Sequence, residues 1–109
     1  YKHSCYLVMV TMDTVWNQTL YMEQIEEALD CMEQAIRYAI RKVDICTRYS
    51  AMQYLIILFE PEESQIPKVM ERIFMQYYKM YEKNDFKPGY EYIPMLGKKN
   101  DIPDGNSKI

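Results

Sequence analysis

The chain has 109 residues, 49% of them apolar, with a formal charge of −3 and a pI of about 5.1. That length allows one domain with a real core and is too short for two. Without a global basic field, non-specific attraction to nucleic acid or to an anionic membrane is excluded, which leaves protein or small-molecule partners.

Residues 5–12, CYLVMVTM, form an apolar run without helical spacing and read as a first strand buried on both faces. Asp13, Thr14, Asn17, Gln18 and Thr19, with Trp16 among them, read as a polar loop. Ile25, Leu29, Met32, Ile36, Ala39 or Ile40 and Val43 then recur at three- and four-residue steps and predict an amphipathic helix. Its acids Glu23, Glu26 and Glu27 crowd the start, and Arg37, Arg41 and Lys42 the end, as the helix dipole favours. Asp44–Tyr49 reads as a second strand, Ser50 and Ala51 as a tight turn, and Tyr54–Glu60 as a third strand, central and covered by helices.

Pro61 ends that strand, and a second helix carries Ile66, Val69, Met70, Ile73, Phe74, Tyr77, Tyr78 and Tyr81 on one stripe, with Pro67 in its first turn. After Lys83, Asn84 and Asp85, residues 90–96 read as a last strand, in which Pro94 belongs on a sheet edge where its missing N–H does no harm. The expected domain is 1–96, and 97–109 is expected to be a disordered polar tail. The order strand, helix, strand, strand, helix, strand predicts an α+β, ferredoxin-like βαββαβ fold, an antiparallel sheet with both helices on one face. The apolar third strand hints at cover on the other face as well.

The longest apolar run, Tyr54–Phe59, falls far short of the roughly 20 residues that cross a bilayer, and no charged-then-apolar leader opens the chain. A soluble, cytoplasmic segment without membrane contact is expected, cut from a longer protein because Tyr1 stands where methionine would. Cys5, Cys31 and Cys46 are odd in number and have only His3 beside them as a further soft ligand, so reduced thiols are expected, with no metal site.

DICTRYSAMQYLIIL, at the centre of this element order, resembles the GGDEF family of diguanylate cyclase domains, whose catalytic palm carries a GGDEF turn inside a strand hairpin. The turn falls on Ser50, Ala51, Met52, Gln53 and Tyr54. The lead-in TRY, the strand YLIILFEP and the stretch VMVTMDTV, which keeps Asp13 of an expected D-x-D, carry the rest of the likeness, over residues 5–96. In that family two carboxylates hold magnesium against the triphosphate, and this alignment puts Thr11 and Met52 in their places. A thioether does not replace a carboxylate for so hard an ion. Ser50 and Ala51 also replace the two glycines that let backbone approach the phosphates.

Asn17 and Glu26 meet the family's base-reading positions only if a gap is chosen in the linker between the first strand and the helix, and the later phosphate-clamping residues have no counterpart. The resemblance therefore implies a degenerate GGDEF-like domain without cofactor or catalysis, a regulatory or interaction module of a larger bacterial signalling protein. Its partners would be the other domains of that protein.

Arg41-Lys42-Val43-Asp44 matches the R-x-x-D motif through which many such domains bind cyclic di-GMP, Arg41 donating to phosphate or guanine and Asp44 accepting from guanine. An arginine in a helix's last turn and an acid at a helix-to-strand junction also have purely structural uses. RNA-recognition domains share the element order, but YLVMV and YLIILF lack their glycines and basic residues, so no nucleic-acid partner is expected. The 11 tyrosines, Tyr78 and Tyr81 especially, suggest a homodimer contact along the second helix, and the nine methionines suit a deformable core.

Overall fold

The computed structural model describes residues 5–15 and 20–95. Strand β1 (Cys5–Thr14) leads to helix α1 (Met22–Ala39), the hairpin β2 (Ile45–Ser50) and β3 (Gln53–Phe59), helix α2 (Ile66–Met80) and strand β4 (Phe86–Met95). The sheet runs β2-β3-β1-β4, and β1 pairs antiparallel with β3 and β4, as β2 does with β3. This is the ferredoxin-like arrangement of the element order, with a four-stranded sheet packed against two helices.

The core lies between sheet and helices because the pleat points alternate residues of each strand inward. Tyr6, Val8, Val10 and Met12 of β1, Tyr54, Ile56 and Leu58 of β3 and Cys46 of β2 meet Ala28, Leu29, Met32, Ala35 and Ile36 of α1 and Ile66, Met70, Ile73 and Tyr77 of α2. Neither central strand is buried on both faces: Leu7, Met9, Leu55 and Ile57 are only half-buried, and nothing among the described residues covers that side. A continuous apolar run in β1 and β3 thus marks one packed face and one bare one.

Several boundaries differ from the sequence reading. Helix α1 stops at Ala39, with Ile40 extended as its C-cap, so Val43 is 62% exposed in a turn instead of on the helical stripe. Asp13 and Thr14 belong to β1, and the hairpin turn is Ala51–Met52, with Ser50 still in β2 and Gln53 opening β3. Strand β3 ends at Phe59; Glu60 then takes a left-handed φ of 51° ahead of Pro61, which disfavours the right-handed region for its predecessor. Strand β4 begins at Phe86, four residues before Tyr90, because pairing with Asp13 and Thr14 outweighs the poor strand propensity of Pro88 and Gly89. Pro94 lies on an edge strand, as the sequence reading has it. Leu96, Trp16, Asn17 and the tail 97–109 lie outside the described residues.

Tyr81 is 2% exposed and belongs to the core, not to a contact surface, while Tyr78 is 47% exposed. The Tyr81 ring stacks on Tyr77 at 5.8 Å, and its hydroxyl donates to Asp85 Oδ2 at 2.6 Å. Tyr77 is fully buried, and its hydroxyl has no hydrogen-bond partner. Burial also pushes the Tyr77 phenol well above its ordinary pKa, so the group stays neutral. An orphaned buried donor carries a desolvation penalty that its removal relieves. Tyr77→Phe should raise the unfolding free energy by up to about 1 kcal/mol, read from urea melts, whereas a loss of more than that amount would mean the hydroxyl is bonded.

Candidate functional site

Two places carry the residues singled out by sequence: the β2–β3 hairpin with the facing end of β1, and the α1–β2 turn. At the hairpin, pairing puts Thr11 opposite Gln53 on the uncovered face. Gln53 Nε2 donates to Thr11 Oγ1 at 3.1 Å, and Ser50 Oγ donates to Gln53 Oε1 at 2.8 Å. Met52 packs against the core, and its carbonyl accepts from the Met12 N–H at 2.9 Å. Thr11 carries a hydroxyl engaged with an amide and Met52 a thioether turned into apolar contact, and neither is the oxygen anion that a magnesium ion takes. Among the described residues no three His, Cys, Asp or Glu side chains gather to hold an ion.

The turn needs no glycine, for a backbone reason. Glu60 is the non-glycine residue with positive φ among those described, so Ser50 and Ala51 keep ordinary conformations. Arg48, which sequence reading treated only as a lead-in, closes the turn. Its Nε donates to Ser50 O and its Nη2 to Ala51 O, both at 2.9 Å, and its guanidinium lies 5.6 Å from the centre of the Tyr54 ring. Tyr54 is 1% exposed and donates its hydroxyl to Leu29 O at 3.0 Å, which fastens β3 to α1. Burial raises its pKa to about 12. Ser50, Ala51, Met52, Gln53 and Tyr54 therefore form a closed hairpin whose polar groups are largely spent on one another.

Arg41 and Asp44 meet beyond the end of α1, not in its last turn. Arg41 Nε and Nη2 donate to Asp44 Oδ2 and Oδ1 at 3.2 and 3.1 Å, and the backbone N–H of Arg41 adds a bond to Oδ2 at 2.9 Å. The Phe59 N–H donates to Asp44 Oδ1 at 3.0 Å, and Arg41 Nη2 also donates to the Phe59 carbonyl. Both carboxylate oxygens are thus doubly engaged, which uses about all the acceptor capacity of the group. The Asp44 side chain is 3% exposed, whereas that of Arg41 is 59% exposed. Together they staple the α1–β2 turn to the end of β3.

Around the staple, Arg37, Ile40, Arg41, Lys42 and Asp44 line a concavity of about 180 Å³. Arg37 is already committed, through Nε to Glu33 at 2.9 Å and through Nη2 to Cys46 O at 3.2 Å. Glu26 lies on the exposed side of α1. The cysteines offer little chemistry: among the described residues all three are free, and burial pushes the Cys46 thiol up to about 11.

Burial alone would raise the pKa of Asp44, but the bonds from the Arg41 side chain and from the Phe59 and Arg41 N–H groups outweigh it and hold the carboxyl below its ordinary value. A depressed folded pKa gives stability that is complete above the unfolded value of about 4 and is lost as pH falls through the folded value. Asp44→Asn should flatten the acid limb of the stability curve below about pH 4 relative to the parent chain. Asp44→Ala should cost about 2–3 kcal/mol at neutral pH by leaving the Phe59 N–H unpaired, as read from denaturant midpoints.

No family model matches the chain, and no curated protein matches it in sequence. Solved structures do match. A diguanylate cyclase from Thermotoga maritima superposes with a TM-score of 0.63 at 16% identity, over 86% of this chain and 66% of its own. The diguanylate cyclase SiaD of Pseudomonas aeruginosa, solved in complex with its activator SiaC, gives 0.63 at 15% identity, over 91% of this chain and 41% of its own. A REP-associated tyrosine transposase bound to a REP hairpin gives 0.53 at 13% identity, over 93% and 61%. The chain thus spans just under two thirds of the Thermotoga protein and well under half of SiaD. At these identities the likeness is one of architecture: the chain has the GGDEF-like fold of diguanylate cyclase domains.

Proposed function

We propose that this domain is a catalytically silent GGDEF-like module that regulates or docks within a larger cytoplasmic signalling protein. The observation that carries the reading is the Ser50–Gln53–Thr11 hydrogen-bond chain beside a core-packed Met52, at the two places that the sequence resemblance aligns with a cyclase's magnesium carboxylates. Hydroxyl, amide and thioether groups supply no charge to bind the ion or to offset charge developing on the phosphates. The fold outlives such changes because Tyr54, Ile56 and Leu58 build the core whatever the turn carries. A solved neighbour held with its activator protein adds support for a role in protein contacts.

A second reading makes the domain a cyclic di-GMP receptor through Arg41 and Asp44. The basic concavity around Arg37, Arg41 and Lys42 favours it, with the Arg41 side chain 59% exposed and its Nη1 group not engaged by Asp44 or Phe59. The cost lies in Asp44, whose oxygens would have to release Arg41 or Phe59 before accepting from a guanine. The transposase neighbour lends no support to a nucleic-acid reading here, because this chain is acidic and the middle of its open sheet face is aliphatic, with no ring for a base to stack on.

With GTP and either magnesium or manganese, the domain should form no cyclic di-GMP above a protein-free control in a chromatographic assay; clear turnover would overturn the leading proposal. On the second reading, calorimetry with cyclic di-GMP should record binding that Arg41→Ala abolishes. An absence of heat at high protein concentration would end it.

A further inference from the structure

The uncovered face of the sheet is ordered in rows. Pairing aligns Ile45, Ile57, Leu7 and Ile93 straight across β2, β3, β1 and β4, and Thr47, Leu55, Met9 and Glu91 in the next row. On the other side of the isoleucine row lie Phe59, Cys5 and Met95, while the far end of the face holds Gln53, Thr11 and Gly89, then Asp13 and Lys87. One end is therefore apolar across the sheet and the other is polar. At the margins Ile93 is 59% and Ile45 45% exposed, although both stand in the most apolar row.

We propose that this face binds a second copy of the chain, sheet on sheet, about a two-fold axis parallel to the strands between β3 and β1. Such an axis keeps each row in register with itself. It lays Ile45 of one copy over Ile93 of the other and Ile57 over Leu7, and it brings the Thr47 hydroxyl to the Glu91 carboxylate. Burial leaves few polar groups unpaired, since both ends of the Gln53 amide are bonded within the chain. Edge-to-edge pairing through β4 is weakened, because Pro88 and Pro94 bring no N–H to that edge. β2 is short, and its pairing is irregular between Arg48 and Ser50.

Area also suits a copy. At strand and residue spacings of about 4.8 and 3.3 Å, the face spans roughly 19 by 23 Å, so two copies cover about 900 Å² between them, the size of a weak contact that forms only at micromolar concentrations and above. A hollow of about 260 Å³ lined by Leu7, Met9, Gln53, Glu91 and Ile93 gives an overlying side chain room to seat. The proposal stands apart from nucleotide chemistry and holds whether or not the domain binds cyclic di-GMP.

Sedimentation velocity and light scattering from about 1 to about 500 µM should show a monomer giving way to a dimer in that range. Ile45→Lys and Ile93→Glu, both at exposed margins, should each keep the chain monomeric while far-UV circular dichroism stays unchanged. The double variant places lysine over glutamate twice across the axis and should restore the dimer. A monomer at every concentration overturns the proposal, whether the face then stays bare or is covered by another protein. So does a dimer that survives both single variants, or a double variant that stays monomeric.

Discussion

The pairing of β1 between β3 and β4 is the constraint on which the rest depends. With a side-chain period of two, the register that sets Val8 against Ile56 and Tyr92 decides at once which residues face the helices and which face away. A slip by one residue would turn Tyr6, Val8, Val10 and Met12 outward and put Leu7, Met9 and Thr11 against α1 and α2. The helices then need only offer stripes that fit, and Leu29, Met32 and Ile36 with Met70, Ile73 and Tyr77 do so. The same register brings Thr11 to Gln53, so the meeting of β1 with the hairpin is fixed by the core and not by the turn.

That separation leaves the hairpin free to carry different groups without disturbing the fold. Polar groups at the hairpin satisfy one another through Ser50, Gln53 and Thr11, and Arg48 occupies the turn carbonyls. At the α1–β2 junction Asp44 is held by Arg41 and Phe59. Both places trade open valence for internal bonding. A buried carboxylate with its oxygens filled is a structural part first, and any ligand must compete with bonds already made.

Much of this was legible in the residues. Three- and four-residue spacing located both helices, and the apolar runs located β1 and β3. What the runs could not convey is one-sidedness: Leu7, Met9, Leu55 and Ile57 look like core because they are apolar, yet burial depends on a covering layer that a strand does not encode. The end of α1 was misplaced because Val43 and Arg41 continue the helical pattern by composition, while the local bonds of Asp44 to Arg41 stop it. The start of β4 was missed because Pro88 and Gly89 read as a turn, and only the partner strand reveals their place. The role of Arg48 is not legible in sequence, because an arginine's use in closing a turn depends on carbonyl positions that sequence does not show.

The pairing of Cys5 with Met95 has a mechanical consequence. Both ends of the described strands emerge side by side at one end of neighbouring antiparallel strands. Tension applied through them would peel the β1–β4 ladder bond by bond, starting from that pair, instead of shearing all its hydrogen bonds together. A sheet loaded in this way yields at low force. Pulled by whatever joins its ends, the domain would give way first at the strand that holds its core together.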